Sequence, residues 1–271
     1  MKKTYFSALG GLPGQDHPMQ DKAVFKEAYA VIPRTVMRDI VTSYFPHWER
    51  TRAWVLARPL SGFAETFSYY VVEVEEGGGS SDPEPDVEAE AVLFVVAGEA
   101  LLTIDGVSHD LRAGSYAYLA KGESWTFSAG SDVTFHWIRK SYETAEGISQ
   151  PTSFVTHDDE STPVEMEGAE GIWSTSRFVD PDDLRHDMHV NIVNFVPGGI
   201  IPFAETHVME HGIYILQGTA HYYLNGDWVE VEAGDFLWLR AFCPQACVAT
   251  GDEPFRYLLY KDVNRHAPLT L

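Results

Sequence analysis

The chain has 271 residues, of which 40 are acidic and 19 are basic, so its formal net charge is −21. This charge argues against nucleic acid and against an anionic membrane surface as partners, because both are bound through patches of lysine and arginine. A hydrophobic content of 45% is ordinary for a globular protein, and the length allows one large domain or two of ordinary size.

The first residues do not have the pattern of an export signal. The apolar run at residues 5–9 is broken by Gly10 and Gly11, too early for the core of a signal peptide. The longest apolar stretch, residues 91–104, is interrupted by Gly98 and is too short to cross a bilayer. We therefore expect a soluble, cytoplasmic protein.

The chain repeats a pattern of glycines and strand-like segments. The middle glycine of each copy stands in an Asp-Gly or Asn-Gly dipeptide, a signal for a two-residue hairpin turn. Short strands with regularly spaced turns are typical of an all-β sandwich or barrel. The sequence therefore predicts an all-β protein with few short helices and two related domains, residues 1–150 and 151–271. The matching glycines, 120 residues apart, are Gly98 and Gly218, Gly106 and Gly226, and Gly114 and Gly234.

Two acidic stretches are expected to lie outside the strands. Residues 142–186 are rich in Asp and Glu and poor in strand formers, so they predict a connector between the copies. Residues 73–90 contain three consecutive glycines and two prolines, and they predict a loop inside the first copy.

The second copy carries candidate metal ligands between its glycines. Glu205, His207 and His211 stand at i, i+2 and i+6, and Gln245 follows Gly234. On a strand, such even spacing points side chains to one face, so the first three can converge inside a barrel. Two histidines alone are equally well explained as ordinary polar residues, but the carboxylate, the amide and the glycines in register favour a metal site. Two imidazoles, one carboxylate and one amide oxygen suit Mn²⁺ or Fe²⁺, while Zn²⁺ and Ni²⁺ stay open.

The same spacing applied to the first copy reaches no metal ligand. The four equivalent positions hold Pro85, Val87, Ala91 and Trp125. None of these side chains offers a donor for a cation. The first domain is therefore predicted to have lost the site and to serve packing or assembly.

The remaining candidates have simpler explanations. Cys243 and Cys247 bracket Gln245, but two cysteines cannot form a four-thiolate zinc site or a disulfide scaffold, so we expect buried, reduced thiols. His189 and the other histidines without ligand spacing are assigned structural roles. His221 has no assigned role.

The glycines and ligand positions resemble the cupin superfamily, whose first motif is G-x5-H-x-H-x3,4-E-x6-G. The spacing agrees, but Glu205 stands at the first histidine position and His211 at the glutamate position. In the second motif, Arg240 and Phe242 replace a proline and a glycine. The resemblance implies two tandem cupin barrels of the double-stranded β-helix, or jelly-roll, type.

A narrower resemblance is to the (S)-ureidoglycine aminohydrolase family, bicupins of purine and allantoin catabolism. It rests on the Glu/His exchange, on Gln245, and on the ending Tyr-Leu-Leu-Tyr-Lys-Asp-Val-Asn-Arg at residues 257–265. It implies a Mn²⁺-dependent hydrolase that releases ammonia from (S)-ureidoglycine and gives (S)-ureidoglycolate. The metal ligands it implies are Glu205, His207, His211 and Gln245, and the substrate-pocket residues are Tyr222, Tyr257 and Lys261.

Elementary chemistry is consistent with these roles. Tyr257 and Lys261 share a face of one predicted strand, and Tyr222 lies on the strand after the Gly218 turn. A lysine inside an apolar barrel is costly unless it is paired, so an inward Lys261 would be a functional signal; otherwise it ends a strand at the surface. A divalent cation with Glu205 leaves a charge of about +1, which suits a small anionic ureido or amino acid substrate.

Two other function classes stay open. Fe²⁺ dioxygenases, isomerases and decarboxylases share the cupin fold, and fold does not settle chemistry. A non-enzymatic cupin that binds a small molecule is the third class. By analogy with cupins that exchange edge strands, we also expect a homo-oligomer.

Overall fold

The structure is a computed structural model that describes residues 2–9, 23–37, 42–60, 62–166 and 168–266. Gly10 and Gly11, which interrupt the apolar run near the N-terminus, lie outside these ranges. Within them, a single 3₁₀ turn, Arg34–Val36, is the helical element, and no helix could span a bilayer. The predicted all-β class is confirmed.

The first half of the chain supplies eleven strands. Their bounds are Val24–Phe25 (β1), Tyr29–Ile32 (β2), Thr42–Ser43 (β3), Glu49–Ala57 (β4), Ser68–Ser80 (β5), Ala89–Ala97 (β6), Glu99–Ile104 (β7), Val107–Arg112 (β8), Ser115–Leu119 (β9), Trp125–Ala129 (β10) and Val133–Ser141 (β11).

The second half supplies ten more. They are Phe154–His157 (β12), Val164–Glu165 (β13), Trp173–Ser176 (β14), Met188–Phe195 (β15), His211–Gln217 (β16), Thr219–Leu224 (β17), Asp227–Glu232 (β18), Phe236–Leu239 (β19), Gln245–Thr250 (β20) and Phe255–Asp262 (β21). The connector at residues 142–186 thus carries three short strands of its own.

Antiparallel pairing assembles these strands into three sheets. The first has the order β12-β9-β6-β11-β5-β10-β7-β8, with β4 on β5 and β3 on β4. The second has the order β1-β2-β19-β16-β21-β15-β14-β13, and a three-stranded sheet, β18-β17-β20, closes the second barrel. The hairpins β7–β8 and β17–β18 turn at Asp105-Gly106 and Asn225-Gly226, all four residues at positive φ, as the dipeptides predict.

The register of the strands repeats between the two copies, which confirms two related cupin barrels. A residue on β6 or β16 faces the equivalent residue on β9 or β19, and β7 with β10 matches β17 with β20. The equivalent cross-strand pairs are Ala91–Leu119 and His211–Leu239, and Ile104–Trp125 and Leu224–Gln245.

Three apolar clusters hold the fold together. One fills the first barrel and is rich in aromatic rings, including Trp48, Trp125 and Trp137. A second lies inside the second barrel, and a third joins the faces of the two large sheets. In this third cluster, which we call the inter-sheet core, the rings of Phe67 and Tyr260 stack with their centroids 4.1 Å apart.

Strand pairing crosses the predicted domain boundary in both directions. Strand β2, near the N-terminus, pairs with β19 of the second copy, and β12, after residue 150, pairs with β9 of the first. The division at residue 150 stays a prediction, but each barrel sheet includes a strand from the other side of it.

The expectation of a loop over residues 73–90 was wrong for its first part. Strand β5 continues to Ser80, so the loop covers only residues 81–88. The glycines permit close contact between strands: a Cβ on Gly79 would lie 2.0 Å from the carbonyl oxygen of Phe127. Glycine here allows a neighbouring backbone to approach, which a composition rule cannot distinguish from a turn.

Candidate active site

A two-way backbone bridge brings Glu205 beside Gln245 at one end of the second barrel. The Glu205 N–H donates to the Gln245 carbonyl, and the Gln245 N–H donates to the Glu205 carbonyl. Both distances are 2.9 Å. Gln245 is the first residue of β20, so the bridge extends the edge of the three-stranded sheet by one residue. At the equivalent position of the first copy, Pro85 has no N–H and cannot form such a bridge.

His207 lies in the loop between this bridge and β16. The Phe242 N–H donates to the His207 carbonyl at a distance of 2.7 Å. The side chain turns toward Glu205, with 3.3 Å between His207 Nε2 and Glu205 Oε1. The expectation that Glu205 and His207 lie on one strand with His211 was therefore wrong, because the bridge and the loop bring the side chains together.

His211 opens β16 and is buried. Its Nδ1 is 3.0 Å from the Met209 carbonyl, which can only accept, so Nδ1 carries the proton and Nε2 offers a lone pair. Burial, followed by the neighbouring His207, lowers the pKa of His211 to about 3, so the ring is neutral near pH 7. The ring centroids of His207 and His211 are 5.2 Å apart.

The donors can be tested for fit to a divalent cation. Two donors about 2.1 Å from one ion and at right angles are about 3 Å apart, close to the 3.3 Å between His207 and Glu205. Across the described ranges, no group of three or more His, Cys, Asp or Glu side chains is already arranged to hold a metal. The donor types and the one close pair fit a cation, but a complete site would require the His211 ring and the Gln245 amide to close around it.

Two tyrosines line the barrel beside Gln245. The Tyr222 hydroxyl oxygen lies 3.3 Å from Gln245 Oε1 and 3.5 Å from the Tyr257 hydroxyl oxygen. Both side chains are buried, and burial raises the pKa of each well above its usual value. They are therefore neutral hydrogen-bonding groups at physiological pH.

Lys261 lies near the end of β21, between two histidines in register. It is opposite His211 on β16 and His189 on β15. Tyr257 belongs to the core of the second barrel, so Lys261, four residues on, shares the barrel-facing side of the strand. Lys261 is half-buried and has no ion pair among the described residues; burial, then the charge of Arg177, lowers its pKa.

His189 and Arg177 are neighbours of Lys261 that the sequence did not single out. His189 is buried, and its Nε2 has no hydrogen-bond partner within the described ranges. Burial, followed by the charge of Lys261, lowers the pKa of His189 to about 4. Only the register between β15 and β21 reveals this placement, since nothing in the spacing of His189 resembles a ligand motif.

The cysteines are buried and unpaired, as expected. Burial raises the pKa of Cys243 to about 11 and also raises that of Cys247, so both remain thiols without nucleophilic character near neutral pH. His221 lies on the outer surface, with Nε2 3.4 Å from Glu230 Oε1.

The cupin domain family matches residues 191–260, and the EutQ-like cupin domain family matches residues 61–142. A protein of Oryza sativa subsp. japonica, named a probable (S)-ureidoglycine aminohydrolase, is 32% identical over 252 residues, covering 93% of this chain and 78% of that protein. The chain belongs to the (S)-ureidoglycine aminohydrolase family of bicupins.

Two further comparisons extend the likeness. The Arabidopsis thaliana (S)-ureidoglycine aminohydrolase is 30% identical over 253 residues, covering 93% of this chain and 81% of that protein. A solved Pseudomonas aeruginosa structure, named as that of a "putative glyoxylate induced protein", is 59% identical with a TM-score of 0.93 over the whole of both chains.

Proposed function

We propose that this bicupin is a metal-dependent aminohydrolase that releases ammonia from (S)-ureidoglycine and gives (S)-ureidoglycolate in purine catabolism. The reaction breaks the bond between the α-carbon and the amine, and water supplies the hydroxyl group that replaces it. The observation that supports the proposal is the bridge between Glu205 and Gln245, which places Glu205 3.3 Å from His207 and Gln245 3.3 Å from Tyr222. Lys261 lies opposite His211 in the same barrel. The choice of (S)-ureidoglycine as substrate rests on the names of the relatives.

The cation would be held by Glu205, His207, His211 and Gln245, most simply as Mn²⁺ because nitrogen and oxygen donors of this mixture suit it. When bound, such a cation supplies Lewis acidity that anchors and polarises the substrate. The neutral His211 ring presents Nε2, and the Met209 carbonyl keeps the ring in that tautomer.

The chain's own cations would bind the substrate carboxylate. Lys261 lies on the barrel-facing side of β21 without an ion-pair partner among the described residues, and Arg177 adds positive charge nearby. Such a group can bind a carboxylate, and its lowered pKa brings it closer to the range in which it can exchange a proton with departing ammonia. The neutral hydroxyls of Tyr222 and Tyr257 can donate to the ureido oxygen.

A matched set of variants tests the site. We expect Glu205→Ala and His207→Ala to lower ammonia release from fresh (S)-ureidoglycine at least 100-fold in Mn²⁺-loaded protein. The control is Glu230→Ala with His221→Ala, because that pair has the same residue types at 3.4 Å on the outside of the same barrel. The controls are expected to stay within about twofold of wild type.

Three outcomes would count against the proposal. An inactive loaded wild-type protein removes the substrate assignment, and full activity in Glu205→Ala removes the site assignment. Turnover that requires O₂ and Fe²⁺ would place the protein among cupin oxygenases. Self-association and a cytoplasmic location stay predictions, and light scattering of the purified protein measures the first.

A further inference from the structure

A segment of the first copy reaches across to the residue that precedes His211. The backbone N–H groups of Glu65 and Thr66 donate to the two carboxylate oxygens of Glu210, each at a distance of 2.9 Å. The Thr66 hydroxyl and Trp238 Nε1 donate to the same carboxylate, each at a distance of 2.6 Å. The carboxylate thus accepts four hydrogen bonds, three of them from the first copy.

The position of Glu210 makes these bonds relevant to the site. Glu210 is buried, and a buried carboxylate is stable only where it is satisfied by donors such as these. The backbone N–H of Glu210 donates to Oδ1 of Asp262 at 2.7 Å, and Asp262 is the residue that follows Lys261. Glu210 therefore ties the start of β16 both to the first copy and to the end of β21.

The residue that follows His211 also contacts the first copy. A Cβ on Gly212 would lie 2.7 Å from two atoms of the Phe67 ring, so the absence of a side chain there lets the ring pack against β16. Alternate residues of a strand face opposite sides. Glu210 and Gly212 therefore meet the first copy, while His211 between them faces the second barrel.

We propose that the first barrel, which carries no ligand set, positions His211 of the second barrel through the segment Glu65–Thr66 bound to Glu210. The inference rests on the proposed function, in that His211 is taken as a metal ligand. The Met209 carbonyl fixes the His211 ring, and the hydrogen bonds of Glu210 hold the backbone that carries both groups. Glu210 is a positioning residue, because it acts only through its neighbour.

The competing explanation is that Glu210 only fastens the two barrels together. Asp158 provides the matched control, because it is a fully buried carboxylate that joins distant parts of the chain. Its carboxylate accepts a hydrogen bond from Arg256 at 2.6 Å and another from the Tyr5 hydroxyl at 2.9 Å. Arg256 lies opposite Gln217 at the far end of β21 from Lys261, so loss of Asp158 should weaken the fold without disturbing His211.

The experiment compares Glu210→Gln with Asp158→Asn in the full-length protein. Both variants are expected to lower the unfolding temperature. Only Glu210→Gln is expected to raise the Mn²⁺ dissociation constant, by about 10- to 100-fold, the usual effect of losing a group that orients a ligand. In the metal-free protein, only Glu210→Gln should speed hydrogen exchange of the backbone amides at residues 209–213.

A milder variant keeps the test valid if Glu210→Gln does not fold. Thr66→Val removes one hydroxyl bond from the first-copy side and keeps the Thr66 N–H; it should raise the dissociation constant several-fold, and Thr66→Ser should restore it. Equal effects of Glu210→Gln and Asp158→Asn, or unchanged affinity and exchange in Glu210→Gln, would overturn the inference. If wild-type protein binds no Mn²⁺, the proposed function fails, and the exchange measurement alone decides the positioning role.

Discussion

The two barrels share one register and differ in what fills it. In the first, Trp125 lies in an aromatic cluster with Trp48 and Trp137, at centroid separations of 6.3 and 5.9 Å. In the second, the equivalent residue is Gln245, which bridges to Glu205. The same strand order can therefore place either an aromatic ring or a polar side chain at this position, depending on side-chain volume and chemistry at a few residues.

The charged residues of the two barrels show the same contrast. Arg139 lies opposite Ala91 as Lys261 lies opposite His211, so the two cations are equivalent. Arg139 forms a 2.5 Å ion pair with Glu84, whereas no ion pair is found for Lys261 among the described residues. A satisfied cation stabilises a fold, and an unsatisfied one is available to a ligand.

The largest expected effect separates the two interiors. Trp125→Ala should cost about 3–5 kcal/mol of unfolding free energy, because it leaves a cavity in a packed core. Gln245→Ala should cost only about 1 kcal/mol, the worth of one hydrogen bond, while lowering Mn²⁺ affinity. Denaturant unfolding with a metal titration measures both. A larger stability loss for Gln245→Ala than for Trp125→Ala would remove the contrast.

The two equivalent cations are expected to respond in opposite ways. Lys261→Met should lower kcat/KM for ureidoglycine about 100-fold, about 2.7 kcal/mol of transition-state stabilisation, with little loss of stability. Arg139→Met should leave kcat/KM unchanged and destabilise the fold, because it leaves Glu84 without its partner. Steady-state kinetics and thermal unfolding of both variants provide the check, and a stability loss confined to Lys261→Met would contradict it.

Metal addition and removal should act on the second barrel alone. At a Mn²⁺ concentration of 100 times the dissociation constant, binding should stabilise the native state by about 2.7 kcal/mol, and a chelator should remove that gain. The shift in unfolding temperature should vanish in Glu205→Ala and persist in Val87→Ala, at the position equivalent to His207. A shift that survives in Glu205→Ala would place the cation elsewhere.

Over one pH unit, acid should produce the smallest of these effects. Burial lowers the pKa of His136 to about 3, and its ring packs against Tyr214 with centroids 4.3 Å apart. The unfolded chain takes up this proton below about pH 6.5 and the folded chain does not, so stability falls as pH falls from about 6.5 to 3. His136→Leu should reduce the slope of stability against pH by up to about 1.4 kcal/mol per unit. An unchanged slope in unfolding experiments at pH 4–7 would contradict this cause.

Sequence spacing predicted the barrels better than it predicted the local structure of the site. The glycines near Asp105 and Asn225 require positive φ, a local property that a sequence pattern can show. The predicted strand through Glu205 and His207 was wrong, because their approach depends on a bridge to Gln245, forty residues away. Pairing between distant segments has no local signature.

The residues that surround the site were harder still to predict. His189 needs the register of β15 with β21, and the bonds from Glu65 and Thr66 to Glu210 span 145 and 144 residues. Gly212 lies within a strand and gives no turn signal, because the lack of a side chain there makes room for the ring of Phe67. These features come from tertiary packing, which overrides local preference where two sheets meet.

The exchange of β2 into the second sheet has a consequence for synthesis. Tyr29 pairs with Leu239, so β2 leaves the ribosome about 200 residues before its partner, a wait of about 10–40 s at ordinary elongation rates. Throughout that interval β2 can pair with β1 on one side, but its other edge has no partner, and such an edge invites pairing with other chains. The yield of this protein in a cell should therefore depend on elongation speed and on chaperones that shield the free edge of β2.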